Sequence, residues 1–278
     1  MLKITFFDVD HGNAIHVQTP NNKHFMFDLG VGSYSSGKEF SPLRYLRNRG
    51  INQLDGVIIT HPHTDHIDDI GNFDAFSPKV LWRPTHLTSD DVKNGNASSD
   101  SEIVDKYNEI NKRYNSPVSV DPSKAPNNGG VFFEFFHPRQ CARTNLNNHS
   151  VVTVISYGGV KVLLPGDNEP PSWNELLEQI QFKDAIMGTH VLLAPHHGRQ
   201  SGFSSELFDV ISPLISIVSD GARTDTSAVN RYSEKSHGRS VKRSDGTEEI
   251  RKCLTTRSDG NVMLTIGKDY TLDVSISR

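Results

Sequence analysis

Short apolar stretches separated by polar turns run along most of the chain, a pattern typical of a sheet-rich protein. The first three stretches predict an opening β-meander at 2–8, 14–18 and 23–29. A helix is predicted at 41–50, because Ser41 suits the N-cap, Pro42 the first turn and Gly50 the position just after the helix. The helix leads into another apolar strand at 57–60, so the pattern predicts a β-α-β step.

The second half of the chain repeats this alternation. Strands are predicted at 131–137, 151–157, 160–167, 190–194 and 214–219, with a helix at 172–181. Near the C-terminus, 247–251 is predicted to be helical, and 253–256 is predicted to form a closing hairpin with 261–266. The two rough halves, 1–150 and 151–278, predict an α/β fold: a four-layer αββα sandwich of two mixed β-sheets with helices outside.

Composition limits the class of protein. A length of 278 residues allows one large domain or two, and we expect a single hydrolase domain over 1–278. A net charge of −4 argues against broad electrostatic binding of nucleic acid, although a local basic strip is still compatible with it. Only Cys141 and Cys253 are present, which argues against a disulfide framework. The sequence shows no signal-peptide pattern and no long apolar run, so we expect a cytoplasmic protein.

The most informative chemistry follows the strand at 57–60. Three imidazoles and a carboxylate, His61, His63, Asp65 and His66, lie within six residues. Neutral imidazole and carboxylate bind borderline and hard divalent ions. His61 and His63 alternate along an extended chain and point to one side, whereas Asp65 and His66 lie further on and can serve a second ion. With no cysteine nearby, the set suits a catalytic site with open positions better than a structural zinc site.

This H-x-H-x-D-H sequence after a buried strand resembles the signature of the metallo-β-lactamase superfamily. The turn D-V-x-x-G-[DN]-A at 8–14, and a strand ending in D-x-G at Asp28, resemble the branch that includes the ComEC-type hydrolase domain of the bacterial DNA-uptake channel. That branch usually carries Gly-Asp in the turn, whereas this chain has Gly12 and Asn13, which weakens any acid or base role at position 13. The resemblance implies the metallo-β-lactamase fold and makes Asp28 a buried acid that orients the histidine loop.

The resemblance also implies the remaining ligands. The superfamily's third metal-binding motif lies just before the strand at 151–157. Here it falls on Asn147, Asn148 or His149, and which of the three holds the ligand position stays open. Asp167 is the fourth motif, expected to bridge two ions, and P-H-H-G supplies His196 and His197. One of these two histidines would bind the second ion, while the other would face the substrate. The candidate metal ligands are therefore His61, His63, Asp65, His66, His149, Asp167, His196 and His197, and the candidate catalytic residues are Asp65, Asp167 and His197.

The expected cofactors are two divalent metal ions. Imidazole favours zinc, while the carboxylates leave manganese open. A hydroxide held between the ions would attack phosphorus or a carbonyl carbon. The branch resemblance implies a phosphodiester substrate, with nucleic acid among the candidates, and hence a phosphodiesterase or nuclease. The alternatives are a hydrolase of another ester, lactone or amide, and a non-catalytic metal-stabilised partner in a larger assembly.

Several polar segments are candidates for contacts with substrate or partner. Arg199 and the basic segment 220–246 are candidates for binding an anionic substrate, although a solvated loop also explains the segment. Trp82, Arg83 and His86 are candidates for the rim of the site, although an ordinary edge strand explains them more simply. No membrane partner is expected, a protein partner is compatible with the sequence, and the oligomeric state is left open.

Overall fold

Strands with one or both faces apolar form most of the secondary structure in the computed structural model, which describes residues 1–221 and 226–278. The strands are β1 (Leu2–Phe6), β2 (Ile15–Gln18), β3 (His24–Phe27), β4 (Gly32–Ser33), β5 (Glu39–Phe40), β6 (Gly56–Ile58), β7 (Leu81–Trp82), β8 (Phe132–Phe136), β9 (Val152–Tyr157), β10 (Val160–Leu164), β11 (Val191–Leu193), β12 (Ile215–Val218), β13 (Arg239–Lys242), β14 (Glu248–Arg251), β15 (Cys253–Thr255), β16 (Val262–Ile266) and β17 (Leu272–Ile276). The helices are α1 (Pro42–Asn48), α2 (Ser89–Gly95), α3 (Ser101–Arg113), α4 (Pro170–Leu177), α5 (Ile180–Ile186), α6 (Val229–Glu234) and α7 (Thr256–Asp259).

Two mixed sheets contain nearly all of these strands. The larger sheet has the order β14-β13-β17-β16-β1-β2-β3-β6-β7, and the smaller has the order β15-β12-β11-β10-β9-β8. Strands β3 and β6 are parallel with α1 between them, which confirms the predicted β-α-β step. Ser41 caps α1, since its hydroxyl accepts a hydrogen bond from the backbone N–H of Arg44.

Three apolar clusters separate the layers. The first joins alternate residues of β1 and β10, such as Ile4 and Val162, and so lies between the sheets. The second packs the outer face of the larger sheet against α1, α3 and a 3-10 helix at Asp68–Phe76. The third packs the smaller sheet against α4, α5 and α6 and includes the fully buried Trp173. The predicted four-layer αββα sandwich is therefore confirmed.

The candidate residues follow the carboxyl ends of parallel strands. Strands β3 and β6 lead to Asp28 and His61, while β10 and β11, parallel in the other sheet, lead to Asp167 and His196. Because parallel strands end at the same edge of a sheet, these loops meet at one edge of the sandwich. The loop after β12, which contains Ser219, joins them there.

Several predictions for the C-terminal region were wrong. Residues 247–251 contain strand β14, not a helix, because Glu248–Arg251 pair antiparallel with β13. Strand β15 is not one arm of a hairpin with β16: it lies parallel to β12 in the smaller sheet, and the closing hairpin is β16–β17. Segment 220–246 contains α6 and β13 instead of one long loop, and its residues 222–225 lie outside the described residues.

Two predictions remain predictions. Across 1–221 and 226–278, every helix is too short or too polar to cross a lipid bilayer. The cytoplasmic location and the single-domain organisation expected from the sequence are not tested by this finding.

Candidate metal centre

Asp28 anchors the loop that carries His61 to His66 through buried hydrogen bonds. Its side chain is fully buried and accepts hydrogen bonds from the backbone N–H of Thr60 at 2.7 Å and from Asn13 Nδ2 at 3.0 Å. It also lies 2.8 Å from His66 Nδ1, which is therefore the donor nitrogen of that ring, so Nε2 faces the cluster. Asn13 thus supports the buried carboxylate, which explains how an amide serves at this position.

His61, His66 and Asp167 form a buried set of donor atoms next to Asp28, which we call the deep group. One side-chain donor atom from each of His61, His66 and Asp167 lies within 4.8 Å of the others, and all three residues are buried. His66 Nε2 is 3.3 Å from Asp167 Oδ1. His63 Nδ1 faces His61 Nε2 at 2.9 Å, so the first two histidines point to one side, as their alternation predicts.

An outer group lies between this cluster and solvent. His197 Nε2 is 3.2 Å from Asp65 Oδ2 and also 3.2 Å from Asp167 Oδ2, so Asp167 contacts both groups. The other ring nitrogen, His197 Nδ1, is 3.0 Å from the carbonyl oxygen of Ser219. His11 completes the group, with Nε2 at 3.6 Å from Asp65 Oδ2 and a side chain that is 42% exposed.

The structure separates the three residues of the third motif, which lie in a 3-10 turn at Leu146–His149. The Asn147 side chain approaches His63, whereas Asn148 Oδ1 accepts hydrogen bonds from Glu169 N and Ser172 Oγ at the start of α4. Three residues per turn place neighbouring side chains on different faces, so only one of the three can face the cluster. That residue is Asn147.

His149, a candidate ligand from the sequence, does not join the cluster. Its Nδ1 lies 2.9 Å from His86 Nε2. His149 therefore belongs to a separate contact with His86.

His196 also points away from the cluster. His196 Nδ1 lies 3.1 Å from Glu169 Oε1 and 2.9 Å from Ser201 Oγ. His196 and His197 both adopt left-handed backbone conformations, with φ of 51° and 53°, and their side chains diverge. Of the two histidines, His197 therefore points into the cluster and His196 points away from it.

Electrostatics show that the cluster is built for positive charge. Burial acts to lower the pKa of His197, but the neighbouring carboxylates, Asp167 first among them, raise it to about 10. Burial likewise opposes protonation of His66, and Asp167, Asp28 and Asp65 together raise its pKa well above the usual range. Burial acts to raise the pKa of Asp167, yet the two imidazoles hold it well below its usual range. Without a metal ion, protonated His66 and His197 therefore supply the positive charge that the buried carboxylates require. A bound cation at the same place would meet the same requirement.

The donor set fits divalent metal ions. Nitrogen and oxygen donors come from loops of both sheets, and Asn147 Oδ1 is buried without a hydrogen-bond partner among the described residues. A buried carbonyl-type oxygen without a donor is costly, and a cation would satisfy it. Mixed imidazole and carboxylate ligands suit zinc and leave manganese open.

Sequence reasoning missed three residues of the site. His11 lies at a position that the turn motif leaves unspecified. Glu169 lies outside the sequence motifs, but it accepts a hydrogen bond from Asn145 Nδ2 at 2.7 Å and lies beside Asn147 and His196. Ser219 contributes through its backbone carbonyl group, which carries no sequence signal.

Curated bacterial proteins resemble much of this chain. Competence protein ComA of Neisseria gonorrhoeae is 25% identical over 219 residues, covering 78% of this chain and 27% of that protein. ComE operon protein 3 of Bacillus subtilis is 24% identical over 251 residues, covering 83% of this chain and 29% of that protein. The chain thus spans less than a third of the length of either relative. Both matches support the resemblance to the ComEC-type branch.

A shorter match and a family model complete the comparison. Exodeoxyribonuclease WalJ of Streptococcus pneumoniae is 31% identical over 78 residues, covering 26% of this chain and 27% of that protein. The model of the metallo-β-lactamase superfamily matches residues 7–219, a range that includes every residue of the deep and outer groups. The chain therefore belongs to the metallo-β-lactamase superfamily.

Proposed function

We propose that this chain is a dinuclear metal-dependent hydrolase that acts on phosphodiesters, with nucleic acid the favoured class. The observation that carries the proposal is the convergence of His61, His66, Asp65, Asp167 and His197 at one edge of the sandwich. Such a donor set, open to solvent on the side of Asp65, is the arrangement expected of a catalytic metal site. The name exodeoxyribonuclease, carried by one relative, supports the choice of phosphodiester substrates.

Two ions would be held by the two sides of the cluster. One ion would be held by His61, His63 and Asn147 and the other by Asp65, His66 and His197, with Asp167 as a ligand available to both. Divalent ions bound there would acidify water near neutral pH and neutralise charge on phosphoryl oxygens. Zinc is the favoured ion, with manganese as the alternative.

The chain's own residues would position the ligands and the substrate. Asp28 fixes the His66 ring and the Ser219 carbonyl group fixes the His197 ring, so both Nε2 atoms face the cluster. Arg199 lies at the mouth of the site, with its guanidinium 3.4 Å from His11 Nε2, where it can contact an anionic substrate. His196, held by Glu169 and Ser201, lies on the rim, where it would face the substrate.

A substrate panel on zinc- and manganese-loaded protein tests this proposal. Metal content is measured first, followed by turnover of an aryl phosphodiester, single- and double-stranded DNA, RNA and an aryl carboxylic ester. The matched variants are Asp167→Asn in the cluster and His237→Ala, an exposed histidine that contacts Ser212 away from the site. We expect phosphodiester turnover that His237→Ala retains and Asp167→Asn loses.

Each other outcome has a definite meaning. Turnover of the carboxylic ester alone would replace the phosphodiester assignment with another hydrolase activity. Stoichiometric metal with no turnover of any substrate would instead support a metal-stabilised binding protein. Absence of bound metal after reconstitution would refute the metal centre itself.

A further inference from the structure

We propose that His11 is an additional metal ligand, binding the outer ion together with Asp65 and His197. This inference rests on the proposed metal centre. It adds a residue that the superfamily signature in this chain does not include, because H-x-H-x-D-H, Asp167 and P-H-H-G all lie elsewhere in the sequence.

The geometry of the donor atoms carries the proposal. His11 Nε2 and His197 Nε2 lie 3.6 Å and 3.2 Å from the same oxygen, Asp65 Oδ2. The two imidazole rings are 4.4 Å apart between centroids. One donor atom from each of the three residues lies within 4.8 Å of the others, a spacing that a single ion can bridge with small side-chain movements.

Backbone contacts fix the turn that bears His11. The N–H of Asn13 donates to the carbonyl oxygen of Asp65 at 3.3 Å, and a Cβ on Gly12 would lie only 2.6 Å from that oxygen. Only glycine at position 12 therefore allows the turn to approach the backbone of Asp65 this closely. The turn and the ligand Asp65 are held together by main chain, independently of any side-chain contact.

Ser219 links the turn that bears His11 to the third proposed ligand of the outer ion, His197. Its hydroxyl donates to the carbonyl oxygen of Gly12 at 2.7 Å, while its own carbonyl oxygen lies 3.0 Å from His197 Nδ1. On the other side, a Cβ on Gly221 would lie 2.9 Å from the backbone nitrogen of His11. The three donors are thus positioned by a shared framework, which is how metal ligands are commonly oriented.

A third imidazole ligand at the outer position would affect which metal ion binds there. Asp65 with His66 and His197 would still tolerate hard ions, whereas a third imidazole from His11 shifts the outer position further toward zinc or cobalt and away from manganese. The Arg199 guanidinium, 3.4 Å from His11 Nε2, would repel an ion at this position. Binding of the ion would therefore move Arg199 away from His11 and leave it available to an anionic substrate.

Metal titrations of the 278-residue chain test the inference without relying on activity. Zinc binding is measured by calorimetry with a competing chelator for wild-type protein, His11→Ala and the control His237→Ala. We expect His11→Ala to weaken one class of site by at least about 10- to 100-fold, the loss typical of removing even an outer-shell partner. The other class of site, and both classes in His237→Ala, should keep their affinities. Arg199→Gln should bind the outer ion as tightly as wild type or more tightly.

A second measurement distinguishes a ligand from a substrate contact. In cobalt-substituted protein, each coordinated imidazole that keeps its ring N–H gives a strongly shifted exchangeable proton resonance. We expect His11→Ala to lose one such resonance relative to wild type and His237→Ala to lose none.

The outcomes separate this inference from the proposed function. Wild-type protein that binds ions, with His11→Ala unchanged in affinity and in the number of shifted resonances, would overturn the inference and leave the metal centre intact. Wild-type protein that binds no ion would overturn both.

Discussion

Replacement of Asp28 by asparagine tests the framework beneath the metal centre. Asp28 is fully buried and accepts hydrogen bonds from Thr60, Asn13 and His66 at 2.7–3.0 Å. An amide has one acceptor oxygen, and its NH2 group must face a donor on the other side. In either orientation of the amide, at least one buried donor loses its acceptor.

The expected cost follows from these contacts. A buried donor left without an acceptor costs about 1–3 kcal/mol, and exchanging the charge-assisted bond to His66 for a neutral one removes about 1 kcal/mol more. We therefore expect Asp28→Asn to lower the free energy of unfolding by about 2–4 kcal/mol. The His66 ring also loses its fixed orientation, so zinc affinity should fall by about 10- to 100-fold.

Urea unfolding in the presence of a chelator measures the first effect, and zinc titration of the folded variant measures the second. The matched control is Asp105→Asn, an acid on α3 whose side chain is 63% exposed and pairs with Lys93. That change should alter the free energy of unfolding by less than about 1 kcal/mol, because exposed ion pairs contribute little. If Asp28→Asn behaved like Asp105→Asn in both measurements, the orienting role of Asp28 would be wrong.

Three further predictions concern the site. Asp167→Asn should lower kcat by about 100-fold or more at saturating zinc, since several kcal/mol of charge stabilisation depend on the metal centre; an unchanged kcat would exclude the residue from the reaction. Gly12→Ala should weaken zinc binding, because its Cβ would lie 2.6 Å from the carbonyl oxygen of Asp65, whereas Gly71→Ala, with no atom within 4 Å, should not. In metal-free protein the pKa of His197 is raised from 6.5 to about 10, so its stabilising contribution is complete below pH 6.5 and lost as pH rises toward 10. Urea midpoints measured with chelator should fall over that window, and a flat profile would contradict the predicted ion pairing of His197.

Local patterns in the sequence were sufficient for most elements and for the core of the site. Ser41, Pro42 and Gly50 delimit α1 because capping depends on residues within one turn. The strand before His61 and the alternation of His61 with His63 likewise depend on neighbours in the chain. By contrast, β15 has the same apolar pattern as a hairpin strand, and only its parallel pairing with β12 assigns it to the smaller sheet.

The tertiary structure decided which side chains face the cluster. His149 and His196 are chemically as suitable as Asn147 and His197, but a 3-10 turn and two left-handed residues direct them elsewhere. His11 becomes part of the site only because its turn packs against Asp65 and Ser219, which are 54 and 208 positions away in the sequence. Sequence by itself determined the donor types and the strand ends that carry them, since both depend on local chemistry. Convergence of those donors depends on the packing of two sheets, and no local pattern encodes it.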